Sequence, residues 1–77
     1  MKALTEYLAK ALVEYPEDVF VEEIRNGNRV ILELHVAKDD MGRVIGRGGR
    51  VANAIRSLLR VASEREGSHV TLDVIEP

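Results

Sequence analysis

Val44-Ile45-Gly46-Arg47-Gly48-Gly49-Arg50-Val51-Ala52-Asn53-Ala54-Ile55 is the stretch whose reading decides the fold. An apolar pair leads into G-x-x-G, and helical periodicity resumes behind it: Val51, Ile55, Leu58, Leu59 and Ala62 fall inward, and Asn53, Arg56 and Arg60 outward. A glycine-rich link lets backbone approach a ligand without interference from Cβ atoms. The helix that follows turns its unpaired N–H groups and positive dipole end to the same place, which suits a phosphate. Arg47 lies inside the loop, with Arg43 and Arg50 close in sequence. Ile45 and Val51 flank it and offer an apolar surface for bases, although Ile45 reads equally well as core. The candidate binding residues are therefore Gly46, Arg47, Gly48, Gly49, Arg43, Ile45, Arg50 and Val51. Arg56 and Arg60, further along, have two readings, phosphate contacts or a solvated helix face.

Two better-known phosphate loops do not fit. A dinucleotide fingerprint starting at Gly46 requires glycine at position 51, which is Val51; a P-loop starting at Gly42 requires Gly-Lys where Arg47 and Gly48 stand.

Working outward, Asp39-Asp40 is placed to cap a short helix through Met41–Ile45. Upstream, two β-like runs, Val19–Ile24 and Arg29–Ala37, surround Asn26-Gly27, a strong hairpin signal because both central residues of a type I′ turn need positive φ. That turn sets Val21 opposite Leu32 and Val19 opposite Leu34. Val19, Val21, Val30, Leu32, Leu34 and Val36 then share one face, and Phe20, Glu22, Ile24, Arg29, Ile31, Glu33 and His35 the other. Leu34 and Val36 read as core with a possible place at the groove edge. Nearer the start, Leu4, Leu8, Ala11, Leu12 and Tyr15 form a helical apolar stripe that Pro16 ends. Downstream of the glycine loop, Glu66-Gly67-Ser68 closes the long helix. A last strand, His69–Ile75, points Val70, Leu72 and Val74 inward.

The order is helix, two strands, short helix, longer helix, strand. The expected architecture is α+β, αββααβ, with three helices packed on one face of a three-stranded sheet. Seventy-seven residues predict a single domain over 1–77. A hydrophobic fraction of 45% and a charged fraction of 31% fit a globular chain. The absence of cysteine removes disulfides and thiolate zinc sites. No apolar run approaches the ~20 residues of a membrane span, and the start lacks the apolar stretch of a signal peptide. The expected location is the cytoplasm.

Charge narrows the function. The net charge is −2, yet residues 43–60 hold five arginines and no acidic residue; subtracting that +5 from −2 leaves −7 on the remainder. One basic stretch in an acidic chain marks the loop as the place for an anion. No metal site or cofactor is expected, and no nucleophile has a recognisable partner, so the chain reads as a binding protein and not an enzyme. His35, on the outer sheet face, and His69, at the start of the last strand, are the only side chains suited to proton transfer near neutral pH.

The run V-I-G-R-G-G-R-V-A-N-A-I resembles the KH family, whose loop clamps four backbone nucleotides. The extra helix and strand before the βααβ unit resemble its type II, or bacterial, form. Over essentially all 77 residues the chain looks closest to the KhpA family of small stand-alone bacterial proteins. That resemblance implies single-stranded RNA as ligand, an RNA-chaperone or post-transcriptional role, self-association, pairing with a larger KhpB-type KH protein, and a link to cell elongation and cell-wall homeostasis. Ala52 departs from the broader KH pattern, where isoleucine is common, and trims the apolar shelf. Two other functions compete: a dimerisation module that has lost RNA, and a ribosome-associated factor. Scarce aromatics, Phe20, Tyr7 and Tyr15 only, favour binding by backbone and apolar groove over stacking on a sheet.

Overall fold

Three runs that keep apolar side chains on a common face build a mixed sheet. The computed structural model describes all 77 residues. Strand β1 (Phe20–Asn26) pairs antiparallel with β2 (Arg29–His35), and β2 pairs in parallel with β3 (His69–Ile75), giving the order β1-β2-β3. Side chains of like parity line up across the sheet. Val21 stands opposite Leu34, and Leu32 opposite Leu72, all of them buried. Phe20, Ile24 and Ile31 occupy the opposite face, open to solvent, where Phe20 stacks on His35 with ring centroids 4.3 Å apart.

The hairpin is shifted from the register that Asn26-Gly27 predicts. Asn26 pairs with Arg29, so Gly27 and Asn28 make the turn. Gly27 alone has positive φ, +64°, as when glycine takes the first central position of a two-residue loop. The His69 N–H donates to the Asn28 carbonyl at 2.8 Å, tying that turn to the start of β3. The slip moves each partner by two residues, an even number, so the buried face keeps its composition.

The helical layer has two α-helices rather than the three expected. Helix α1 spans Lys2–Leu12, and α2 spans Met41–Glu66. Only Gly46–Gly49 leave helical torsions inside α2, so the glycine loop is a kink between abutting helical segments and not a separate connection. Short 3₁₀ turns at Pro16–Asp18 and Lys38–Asp40 complete the chain. Ala9 from α1 and Val44, Ala52, Ile55 and Leu59 from α2 close over the inward strand residues in one core.

Two helix faces differ from their apolar stripes. On α1, Thr5 and Ala9 are buried, while Leu4, Ala11 and Leu12 are exposed and Leu8 is only partly covered; Tyr15, the last residue of the stripe, lies beyond the helix and is partly covered too. Small residues let the helix sit close to the sheet, and the Thr5 hydroxyl is satisfied by the Met1 carbonyl at 2.9 Å. On α2, Leu58 is 51% exposed, whereas Ser63 is buried with its hydroxyl on the Arg60 carbonyl. Exposed Leu4, Leu12, Leu58 and Val61 leave apolar surface on both helices.

Asp40 explains where α1 ends. Its carboxylate makes no capping bond to α2. It accepts the backbone N–H groups of Glu14 and Tyr15 instead, both at 3.0 Å, and is closed to solvent. Those bonds draw the chain off the helix right after the last helical bond, Val13 N–H to the Ala9 carbonyl. The helix thus stops before Pro16 acts, and the α1–β1 connection is pinned to the foot of α2.

Candidate functional site

The kink in α2 has a distinct backbone. Gly46 is extended (φ −68°, ψ 167°), and Arg47, Gly48 and Gly49 follow in the left-handed region at φ 53°, 70° and 77°. Arg47 is the only non-glycine residue of the chain with positive φ, a conformation that costs an L-residue about 1–2 kcal/mol. A Cβ at Gly48 would meet nothing within 4 Å. Glycine is required there by torsion, and the space beside it is open to a ligand.

The loop separates two surfaces of different chemistry. On one side a cavity is lined by Gly42, Arg43, Gly46, Arg47, Arg50 and Val51, with Asp39 at its margin. Arg47 and Arg50 have no carboxylate within ion-pair distance, whereas Arg43 is held by Glu14 and Asp40, each at 3.5 Å. The free positive charge of the site is therefore Arg47 and Arg50, and Arg43 is shared with the structural tie at Asp40.

On the other side an open groove of about 620 Å³ runs between α2 and the edge of β3. Ile45, Ala52, Val74 and Ile75 give it an apolar floor, and Gly48, Gly49, Asn53, Arg56 and Asp73 complete its walls. Ile45 is 46% exposed while its neighbour Val44 is buried, so the apolar pair divides between groove and core. Val51 falls on the basic side. Leu34 and Val36 are buried and take no part.

The eight residues singled out in sequence all lie around the kink, divided between its two sides. Sequence reasoning missed the far wall, Asp73, Val74 and Ile75, along with Asn53. Parallel pairing of β3 with β2 puts the last strand beside α2, and the crossover rule for β–α–β units is the signal that would have located it. Arg56 and Arg60 are both exposed on α2, but only Arg56 reaches the groove. The neighbouring Tyr15 phenol is pushed above its ordinary range, chiefly by the Glu14 carboxylate and then by Asp39, which marks an acidic border on the basic side.

A helix broken by G-x-x-G, packed with a second helix on a mixed three-stranded sheet, is the α+β architecture of a KH domain. More narrowly, the chain belongs to the family described as KhpA/KhpB, KH domain, which it matches over residues 2–74. It is similar to "RNA-binding protein KhpA" of Clostridium perfringens, 47% identical over 75 residues, covering 97% of this chain and 100% of the relative. The protein of the same name from Halalkalibacterium halodurans is 46% identical over 76 residues, covering 99% and 100%. That of Chlamydia trachomatis is 42% identical over 76 residues, covering 99% and 97%.

Proposed function

We propose that this chain is a single KH module that binds single-stranded RNA at the α2 kink and works as a binding protein, without catalysis. In this reading the sugar–phosphate backbone lies against Gly46–Gly49, Arg47 and Arg50 neutralise phosphate charge, and bases enter the groove floored by Ile45, Ala52, Val74 and Ile75. The observation that carries it is the division of surfaces by the loop, unpaired arginines on one side and an apolar groove on the other. Backbone contacts give affinity, and the groove carries any base preference. The relatives' name supports RNA as the ligand.

The same reading makes the chain a cytoplasmic RNA chaperone or post-transcriptional regulator, linked through its family resemblance to cell elongation and cell-wall homeostasis. No helix is long and apolar enough to cross a membrane. One such domain offers few contacts, so useful affinity calls for two linked sites. Exposed Leu58 and Val61 on α2, with Leu4 and Leu12 on α1, supply apolar surface for a second copy or a KhpB-type partner. A family description that spans both KhpA and KhpB supports the latter. This apolar surface is also what favours the second reading, a dimerisation module that no longer binds RNA.

The test is binding of a short labelled unstructured RNA across a salt series, with the natural chain and a folded Arg47→Asp, Gly48→Asp variant. Expected are a salt slope of roughly 0.7 per phosphate contact and loss of binding in the variant. Equal binding by both would move the RNA elsewhere, and no binding by either at low salt would favour the dimerisation module.

A further inference from the structure

Arg56 reads from sequence as a phosphate contact or a solvated side chain, and its hydrogen bonds fit neither. Its Nε and Nη2 both donate to the Leu72 carbonyl of β3, at 3.2 and 3.0 Å, and its Nη1 donates to Asn53 Oδ1 at 3.0 Å. Asn53 passes the link on, donating through Nδ2 to the Gly48 carbonyl at 3.2 Å. Four hydrogen bonds thus join the main chain of β3, one wall of the groove, to a left-handed residue of the loop, the other wall.

We infer that Asn53 and Arg56 are positioning residues, a strut that holds the glycine loop in its left-handed form and sets the width of the groove. The inference rests on reading that groove as the RNA site. Three observations support it. Arg47, Gly48 and Gly49 are consecutive left-handed residues, an arrangement local sterics do not favour for the arginine, so the loop needs an outside anchor. Asn53 is the only side chain that bonds a backbone group of residues 46–49. Finally, a guanidinium has five N–H donors, and Arg56 commits three of them, two as a fork on one carbonyl. Lysine has no such planar fork and cannot repeat that geometry.

A strut and a phosphate contact respond differently to substitution. Arg56→Lys keeps the charge and removes the fork; Arg56→Gln removes both; Asn53→Ala cuts the link to Gly48. Both positions, Asn53 and Arg56, are exposed on α2, so the fold should survive, as circular dichroism and thermal unfolding would verify. Two readouts follow on each variant and on Asn53→Ala/Arg56→Gln: affinity for a labelled unstructured RNA across a salt series, and amide hydrogen exchange at Gly48, Gly49 and Arg50 without RNA.

The strut predicts faster loop exchange in every variant. It also predicts about tenfold weaker binding for all three single variants, since losing a charged hydrogen bond's worth of bias leaves the bound-like loop in a minority. The salt slope should stay unchanged, and the double variant should be no weaker than the weaker single one, as for two members of one unit. If Arg56→Lys binds like the natural chain while Arg56→Gln lowers the slope by about 0.7, Arg56 is a direct phosphate contact and the inference falls. Unchanged loop exchange also overturns it. Should the natural chain bind no RNA, the RNA reading fails by itself, and exchange still decides whether the strut exists.

Discussion

Replacing Asp40 separates a buried tie from an ordinary helix cap. The residue stands at the N-cap position of α2, where serine, asparagine and aspartate exchange at little cost. The structure gives its carboxylate other work: two backbone N–H groups at 3.0 Å from the α1–β1 connection, inside a site closed to solvent. Hydrogen bonds to a charged group contribute about 1.5–3 kcal/mol each. The Arg43 pair adds roughly 0–1 kcal/mol because its guanidinium is half exposed. Asp40→Ala leaves both N–H donors without their partner and should cost about 3–5 kcal/mol. Asp40→Asn keeps one acceptor and turns an NH₂ group toward a donor, at about 2 kcal/mol. A domain of this length has some 4–12 kcal/mol in all, about 0.05–0.15 per residue, so the alanine variant should lose at least about a quarter of its stability. With a urea m-value of about 1 kcal/mol/M, the midpoint should fall by about 2 M for asparagine and 3 M or more for alanine. Both are read at one fixed protein concentration, because self-association would move the midpoint. An asparagine or serine variant within about 0.5 kcal/mol of the natural chain would refute the tie and restore the cap.

Three further outcomes follow. Leu59→Ala should cost about 2–5 kcal/mol in urea unfolding, whereas Leu58→Ser, on an exposed position of the same helix, should stay within about 0.5 kcal/mol and lower self-association by light scattering; a large stability loss at Leu58 would contradict its placement. Gly27→Ala should destabilise by about 1 kcal/mol because of its positive φ, while Asn26→Ala, in the strand, should be nearly neutral; a loss at Asn26 as large as that at Gly27 would restore the Asn26-Gly27 turn. Asp39→Asn and Asp73→Asn each remove a carboxylate that lines the two sides of the loop, and each should raise RNA affinity about twofold at low salt, from roughly 0.4 kcal/mol of repulsion at ~10 Å in water. Reduced affinity at Asp73 would mean that its carboxylate accepts a hydrogen bond from a base instead.

How much was legible in advance depends on how local each determinant is. Alternation in β1 and β2 named the buried face of the sheet even though the turn was placed one residue early, because an even slip conserves parity. The glycine spacing and the arginines of residues 43–60 located the loop and its charge, since torsional freedom and formal charge belong to single residues. Helix faces were less legible. An apolar stripe reports which residues can be buried, not which neighbour arrives, and α1 docks through Thr5 and Ala9 because they permit close approach.

By itself, then, the amino-acid order determined the sheet's inner face, the extent of β3, the place of the break in α2 and the sign of its charge. Each of these follows from periodicity, torsion or charge within a few residues. Only the tertiary structure decided that Asp40 binds the end of α1, that β3 supplies the far wall of the groove, and that Arg56 and Asn53 join that wall to the loop. The long-range links among them join residues that the chain separates by 16 to 26 positions, as in Arg56 to Leu72 and Glu14 to Asp40. They exist because the parallel crossover and the packed helix bring the partners within hydrogen-bond reach, which no local pattern encodes.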